Sequence, residues 1–415
     1  MKSNNYKKVA SYEAKEGKIK KCILLYSGGL DTSVMLKWIQ DQYKCEVIAL
    51  TVDLGQQADD LELVKEKAFK LGAKKAIVID AKEKFANDYI TPAIKANASY
   101  QGDYHLSTPI GRPLIAKLAV EVAAKEGADA IAHGCTGKGN DQVRIEVSAL
   151  CFNPNIKIIA PVREWSMGRQ EEIEYAKKHN IPIDNTVDKP YSYDDNLWGV
   201  SAEGGVVEDP SKIIPLEEVL KVCKMPEDSP DLKLFLNIGF EEGIPVSINN
   251  EKMGLVSLIE KLNDVGARHS IGIVNHIEDR LVGLKVRDVY EHPGAHIIIE
   301  AHKALEKFVC TQDENKFKSK IDQEWAYLCY NAKWLESNMD HINAYINNLN
   351  QKVTGTVTLS LYKGNLFVEA LDSPNSIFSH ALATFEKNET FNQNASPGFI
   401  EIYSLSMKMS HQIKG

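Results

Sequence analysis

The chain has 415 residues, 44% hydrophobic and 26% charged, with a formal net charge of -8, so it can bury two or three domain cores and is too apolar for disorder, while the acidic balance argues against a broad nucleic-acid surface. Its seven cysteines form no CxxC pair and several sit in apolar runs such as Lys21-Cys22-Ile23-Leu24-Leu25, which reads as free thiols in a reducing compartment. The first twenty residues are Lys/Glu-rich and unlike a secretory signal, and no run approaches the ~18 apolar residues of a membrane span, so a cytoplasmic protein with no membrane partner is expected.

From Cys22 to about Ile183, apolar strands alternate with amphipathic helices. Ile23–Tyr26, Glu46–Val52, Ala76–Ile79, Ala128–Ala132 and Ile156–Ala160 read as strands. Leu61, Val64, Ala68 and Leu71 mark a helix closed by Gly72, and Pro113 opens another that runs to Gly127. The pattern predicts an α/β fold, a doubly wound parallel sheet whose ligands collect at the carboxyl ends of its strands. After about Asp184 the texture becomes α+β. Leu232 to Phe240 alternate as an antiparallel strand, Gly243 turns into Ile244–Ile248, Leu255–Val265 suggests a helix, and Lys363-Gly364-Asn365 signals a hairpin. The last stretch of roughly forty residues reads as a polar tail, frayed or docked on another subunit. The expected divisions are an N-terminal extension 1–20, a nucleotide-binding domain 21–183, a second domain 184–375 and a C-terminal arm 376–415.

The first chemical signal is Ser27-Gly28-Gly29-Leu30-Asp31-Thr32-Ser33, between a strand and a helix. Gly28 and Gly29 let the backbone turn tightly against a phosphate, and the N–H groups of the loop and helix start form an anion nest. Ser27, Thr32 and Ser33 add hydroxyls. Asp31 is out of place beside an anion unless Mg²⁺ bridges it to the phosphates. A turn capped by a serine is the plain alternative, but a turn requires neither both serines nor the aspartate.

The second is His133-Gly134-Cys135-Thr136-Gly137-Lys138-Gly139-Asn140-Asp141-Gln142-Val143-Arg144. Three glycines free backbone N–H groups to face a ligand. Asn140 and Asp141 fall at the start of a helix over Gln142–Leu150, with Arg144 in its first turn.

Together these two segments resemble the argininosuccinate synthase family, within the PP-loop ATP pyrophosphatases. Further stretches carry the likeness across most of the chain: Asp53-Leu54-Gly55-Gln56, Tyr104 through Arg112-Pro113, Asn196-Leu197-Trp198-Gly199 with Ser201 and Glu203-Gly204-Gly205, and Glu278-Asp279-Arg280 with Tyr290-Glu291. The resemblance implies an adenine-nucleotide α-hydrolase-like first domain, a synthetase and multimerisation domain, and a homotetramer joined through its C-terminal arm. It implies ATP with Mg²⁺, citrulline and aspartate as the small molecules bound, and ligation through a citrullyl-AMP intermediate. It assigns Tyr26, Ser27, Gly28, Gly29, Leu30, Asp31, Thr32, Ser33, Val52 and Gly134 to ATP, and Thr136, Asn140 and Asp141 to aspartate. It assigns Tyr104, Thr108, Pro109, Asn140, Arg144, Ser192, Ser201, Glu278 and Tyr290 to citrulline. Arg144 and Glu278 supply the cation and anion that a zwitterionic amino acid needs. Asp31 and Asp141 are the candidate catalytic groups, with an oxygen of substrate or AMP as the alternative base.

The chain departs from the family in three places: Val52 stands where Ala is usual, Pro109 stands where a small residue is usual, and the N-terminal extension is longer. His269, His276, His292, His296 and His302 match no zinc spacing and read as core or surface histidines. Trp325, Tyr327, Tyr330 and Trp334 read as a helix packed into a core or a subunit contact. The competing functions are an RNA-modifying PP-loop enzyme, which typically carries paired cysteines and a basic surface, and a nucleotide-binding homologue that has lost its chemistry.

Overall fold

The computed structural model describes residues 6–56, 60–165, 167–182, 190–384 and 391–414. Five strands, β1 (Lys21–Leu25), β2 (Glu46–Asp53), β3 (Lys75–Asp80), β4 (Ala130–Ala132) and β5 (Lys157–Ile159), form a parallel sheet in the order β3-β2-β1-β4-β5. The central strand is apolar on both faces. Ile23 belongs to one core and Cys22 and Leu24 to the other, as a sheet covered by helices on both sides requires. The winding leaves β1 toward β3, then returns to the other side at β4. The reversal places the crevice at the carboxyl ends of β1 and β4.

Element boundaries follow local chemistry. The helix expected to open at Pro113 instead spans Ser107–Glu126, with Pro113 inside it. Leu106 enters at a φ of 62°. Pro109 lies in the first turn, where its missing N–H costs nothing, whereas Pro113 removes the bond that the Pro109 carbonyl would accept. Asn196 Nδ2 donates to the Ser107 carbonyl at 2.8 Å, and Trp198 Nε1 to the His105 carbonyl at 2.9 Å. Tertiary contacts thus secure this helix start.

The second half builds two antiparallel sheets. One contains β6 (Ser192–Asn196), β7 (Gly199–Glu203), β11 (Ile273–Asp279) and β12 (Lys285–Glu291) in the order β11-β12-β7-β6. The other orders β10-β9-β8-β13-β14 from β8 (Leu234–Glu241), β9 (Ile244–Ile248), β10 (Glu251–Lys252), β13 (Gly355–Tyr362) and β14 (Asn365–Asp372). The expected alternation holds in β8, where Leu236, Ile238 and Phe240 are buried, but Leu232 precedes the strand and is exposed. Lys363 and Gly364 both adopt positive φ at the β13–β14 turn, which suits the twist of a tight hairpin. The final stretch is helical over Ser396–Tyr403 and Leu405–Lys414 rather than frayed, and its apolar side chains are exposed. No helix among the described residues is long and apolar enough to cross a membrane.

The two halves meet over buried histidines. His269, His276, His292 and His302 are buried and His296 partly so. His105 Nε2 lies 3.1 Å from His296 Nδ1, and His292 Nε2 lies 3.3 Å from Ser107 Oγ. Burial, reinforced by His296 and His276, pushes His292 down to about 3. Burial likewise pushes His105 well below the usual range, with His292, His296 and Lys303 adding to it. The unfolded chain's histidines titrate near ~6.5. Above that pH both forms are neutral there. Below it the unfolded chain takes up protons that the folded chain refuses, so stability falls by roughly 1.4 kcal/mol per pH unit for each such histidine. Urea midpoints are therefore expected to drop steadily from about pH 6.5 to about pH 5, and His292→Asn to flatten that slope. A midpoint constant over this window would contradict neutral burial.

Candidate active site

The first glycine loop leaves β1 at the crevice. Tyr26 is tied to β2, its N–H donating to the Leu50 carbonyl at 2.9 Å and its carbonyl accepting from Thr51 Oγ1 at 2.7 Å. Its phenol oxygen lies 3.1 Å from Ser33 Oγ, and Ser27 Oγ lies 3.2 Å from Thr32 Oγ1. Gly28 holds a φ of 82°, and a Cβ there would meet the Val64 side chain at 3.1 Å. The helix Leu30–Tyr43 begins at Gly29 with no side-chain cap. The N–H groups of Leu30, Asp31 and Thr32 thus face the crevice mouth as an anion-binding end. Asp31 is exposed in that first turn and Val52 is buried near the end of β2.

The second loop leaves β4 beside it. A Cβ at Gly134 would come within 2.6 Å of Met35 Cε on the first loop's helix, so the two loops pack directly. Thr136 and Lys138 are exposed at the tip, where the Thr136 carbonyl accepts from the Gly139 N–H at 3.2 Å. The helix Asp141–Phe152 follows. Asp141 accepts from Arg112 Nε at 2.8 Å and from Arg144 Nη1 at 2.8 Å. Burial opposes its charge, but Arg112 and Arg144 together outweigh burial and hold the carboxyl below its ordinary range. Arg112 also pairs with Asp194, whose carboxyl burial shifts upward against the arginine's pull. One guanidinium thus pulls on two carboxylates, and only at Asp194 does burial prevail over it.

The second half contributes one face of its four-stranded sheet. Pairing sets Ser201 against both Asp194 and Tyr290, and His276 against Asp288. The two-residue period places Glu278 and Ser192 on that same face. Glu278, 2% exposed, accepts from Tyr290 OH at 2.7 Å and Tyr330 OH at 2.6 Å. Tyr330 OH in turn accepts from Asn140 Nδ2 at 2.9 Å, and the Tyr330 carbonyl accepts from Arg144 Nε at 3.0 Å. Arg144 lies over the Tyr330 ring, 4.7 Å from its centroid, and Tyr100 stacks on the same ring at 3.6 Å. Tyr104 stacks on Tyr290 at 3.9 Å, and its hydroxyl accepts from the Thr108 N–H at 3.3 Å. Thr108 Oγ1 donates to Asp194 at 2.9 Å. Behind Glu278, burial and the Glu278 charge push Asp288 up to about 7 against the pull of Arg280.

Asn140, Asp141, Arg144, Tyr104, Thr108, Glu278 and Tyr290 therefore form one connected polar cluster, with Ser201 joined to it through a 3.4 Å hydrogen bond to the Asp194 carbonyl. Ser192 is exposed two residues from Asp194, and Pro109 is buried in its helix. In sequence, Tyr330 reads as packing, and Arg112, Asp194 and Asp288 carry no expected role. For Tyr330 nothing in its helical spacing separates a ring that only packs from one whose hydroxyl reaches a carboxylate on another element. Asn140 Oδ1 and Arg144 Nη2 are buried without a hydrogen-bond partner among the described residues. One is an acceptor and the other a donor. Leaving each unpaired costs roughly 1–3 kcal/mol.

A family model for the arginosuccinate synthase N-terminal HUP domain matches residues 21–182, and one for the arginosuccinate synthase C-terminal domain matches residues 191–410. The chain is 47% identical over 390 residues to an argininosuccinate synthase of Symbiobacterium thermophilum, covering 94% of this chain and 97% of that protein. It is 49% identical over 391 residues to one from Pyrococcus furiosus, covering 94% of each, and 48% identical over 390 residues to one from Geobacillus thermodenitrificans, covering 94% and 95%. Among solved structures, the U34-tRNA thiolase NcsA of Methanococcus maripaludis is 20% identical, covers 43% of this chain and 61% of its own, and has a TM-score of 0.28. With both family models matched in sequence and together spanning most of its length, the chain belongs to the argininosuccinate synthase family.

Proposed function

We propose that the crevice joins citrulline to aspartate in two steps. The ureido oxygen of citrulline attacks the α-phosphorus of ATP and expels pyrophosphate. The aspartate amine then attacks the ureido carbon and expels AMP, leaving argininosuccinate. The observation that carries this reading is the unpartnered pair Asn140 Oδ1 and Arg144 Nη2, buried where the second loop meets the Glu278 face. A ligand with both a hydrogen-bond donor and an anionic group satisfies both.

The loop Tyr26–Ser33 receives the phosphates, with Val52 and Gly134 on the adenine side. Pyrophosphate departs against the uncapped helix end, where fixed N–H dipoles meet growing negative charge. The donor chemistry fits Mg²⁺: Asp31 offers a hard oxygen beside the phosphate nest, and this ion is commonly held by one or two carboxylates plus phosphates. When bound, Mg²⁺ neutralises charge on the leaving group. Thr136, Asn140 and Asp141 hold aspartate; Tyr104, Thr108, Pro109, Asn140, Arg144, Ser192, Ser201, Glu278 and Tyr290 surround citrulline, Pro109 through its carbonyl. Asp141, held low by two arginines, suits an ammonium partner better than a proton acceptor. We assign the amine's proton to an oxygen of the departing AMP. Positioning then supplies most of the rate.

Residues 376–415 serve as an oligomerisation arm in this reading. The helices Ser396–Tyr403 and Leu405–Lys414 expose Phe399, Ile400, Ile402, Tyr403, Leu405, Met407, Met409 and Ile413, more apolar surface than a solvated tail carries.

Pyrophosphate release from ATP is expected to require citrulline, and argininosuccinate formation to require aspartate as well. Release indifferent to citrulline would sink the proposal. Asp141→Asn keeps hydrogen-bond acceptance toward Arg144 but removes the charge. It should raise the KM for aspartate by about 10- to 100-fold, or ~1.4 kcal/mol per decade, with a much smaller change for citrulline. Equal losses for both substrates would contradict the assignment. Truncation near Phe378 should convert a tetramer to smaller species in sedimentation, and an unchanged coefficient would exclude the arm.

A further inference from the structure

Residues 6–14 precede residue 21, where the family match begins. They nevertheless dock on the nucleotide-binding sheet. Ala14 N–H donates to the Ile158 carbonyl at 2.9 Å and Ile158 N–H to the Tyr12 carbonyl at 3.0 Å, pairing Glu13 in parallel with β5. Lys157 Nζ reaches the Ser11 carbonyl at 3.1 Å. The segment is closed on itself, because Glu13 accepts from the Val9 and Ala10 N–H groups at 2.8 Å and from the Tyr6 hydroxyl. Ala14 and Ile19 enter the same core as Met35 and Tyr26.

Its side chains converge on the short helix Pro161–Glu164 that follows β5. Lys8 Nζ pairs with Glu164 at 2.9 Å, and both contact the Tyr43 hydroxyl, at the far end of the first loop's helix. Tyr6, Tyr12 and Glu13 all lie within electrostatic reach of Arg163. Arg163 then faces the crevice loop. Its Nη1 donates to Glu146 at 2.7 Å and to Gln142 Oε1 at 3.0 Å. Glu146 lies 2.9 Å from His133 Nε2, and His133 Nδ1 accepts from the Cys135 N–H at 3.2 Å. Gln142 Nε2 donates to the Gly137 and Gly139 carbonyls at 2.7 and 3.3 Å. The extension is thus paired with Glu164 and lies within electrostatic reach of Arg163, and from Arg163 hydrogen bonds and an ion pair run on to the back of the second glycine loop.

We propose that residues 6–14 are a positioning strap for the loop Gly134–Asn140, fixing Arg163 so that Gln142 holds the Gly137 and Gly139 carbonyls and Glu146 holds the His133 imidazole at the loop's start. A loop with three glycines keeps little shape of its own, so its ordering must come from outside. The kinetic part rests on the proposed aspartate role of this loop; the structural part does not.

The test uses the full chain carrying Lys8→Ala with Glu13→Gln, with Lys8→Arg as the conservative control and Arg163→Ala as the direct disruption. Amide hydrogen exchange over 134–142 is expected to speed up in the double variant and in Arg163→Ala, and to stay slow in Lys8→Arg. The aspartate KM should rise about tenfold in the double variant while kcat and the citrulline KM move less than about twofold. Faster exchange at 8–14 with unchanged exchange at 134–142 would overturn the strap, as would equal loss for both substrates. If the wild-type chain releases no citrulline-dependent pyrophosphate, the reaction proposal fails, and the exchange measurement still decides the strap.

Discussion

Glu278 is the point on which the two halves of the chain converge. A carboxylate this deeply buried is costly unless its charge is met by several donors. Here Tyr290 comes from the neighbouring strand and Tyr330 from the helix Gln312–Tyr330, with Arg280 3.9 Å away. Tyr330 then passes the contact to Asn140 at the mouth of the second loop. The nucleotide-binding sheet and the four-stranded sheet are thus registered against each other by directional bonds in the site itself. Apolar packing alone tolerates sliding, whereas two hydroxyls on one carboxylate do not.

This arrangement explains why the first half was more legible than the second. The strand–loop–helix units around Ser27–Ser33 and Gly134–Arg144 are local, and their glycines and polar side chains announce themselves within a dozen residues. The alternation of strands and helices announces a parallel sheet with both loops at strand carboxyl ends, though not the order of its strands. The Glu278 face is non-local. Asp194, Ser201 and Tyr290 become neighbours only through antiparallel pairing across three strands, and Tyr330 arrives from a helix beyond them. The Pro113 boundary was misread for a related reason. A proline usually marks a helix start, but here Asn196 and Trp198 from the second half hold the helix start at Ser107 and His105. Family likeness proposes residues for citrulline by position, yet gives Arg112 and Asp194 no role because their significance is geometric.

The charge pattern around Arg112 bears on how the site tolerates its own reaction. Asp141 and Asp194 share one guanidinium, which pulls both carboxyls down; burial and the Asp141 charge still raise Asp194, whereas Arg144 helps hold Asp141 low. Arg144 adds a second cation to Asp141 but reserves Nη2. In the proposed reaction, cations already in place beside the loops would need no reorganisation as phosphate charge shifts. The same anchoring limits the freedom of Asp141. Two arginines keep it ionised, which favours holding an ammonium and disfavours removing its proton. A site built this way gains rate by fixing positions and charges, and its weak point is the backbone of the glycine loops rather than any single acid or base. The Arg163–Gln142–Glu146 contacts behind the second loop address that weakness directly, since Arg163 fixes Gln142, which binds the Gly137 and Gly139 carbonyls, and Glu146, which holds His133 at the loop's start.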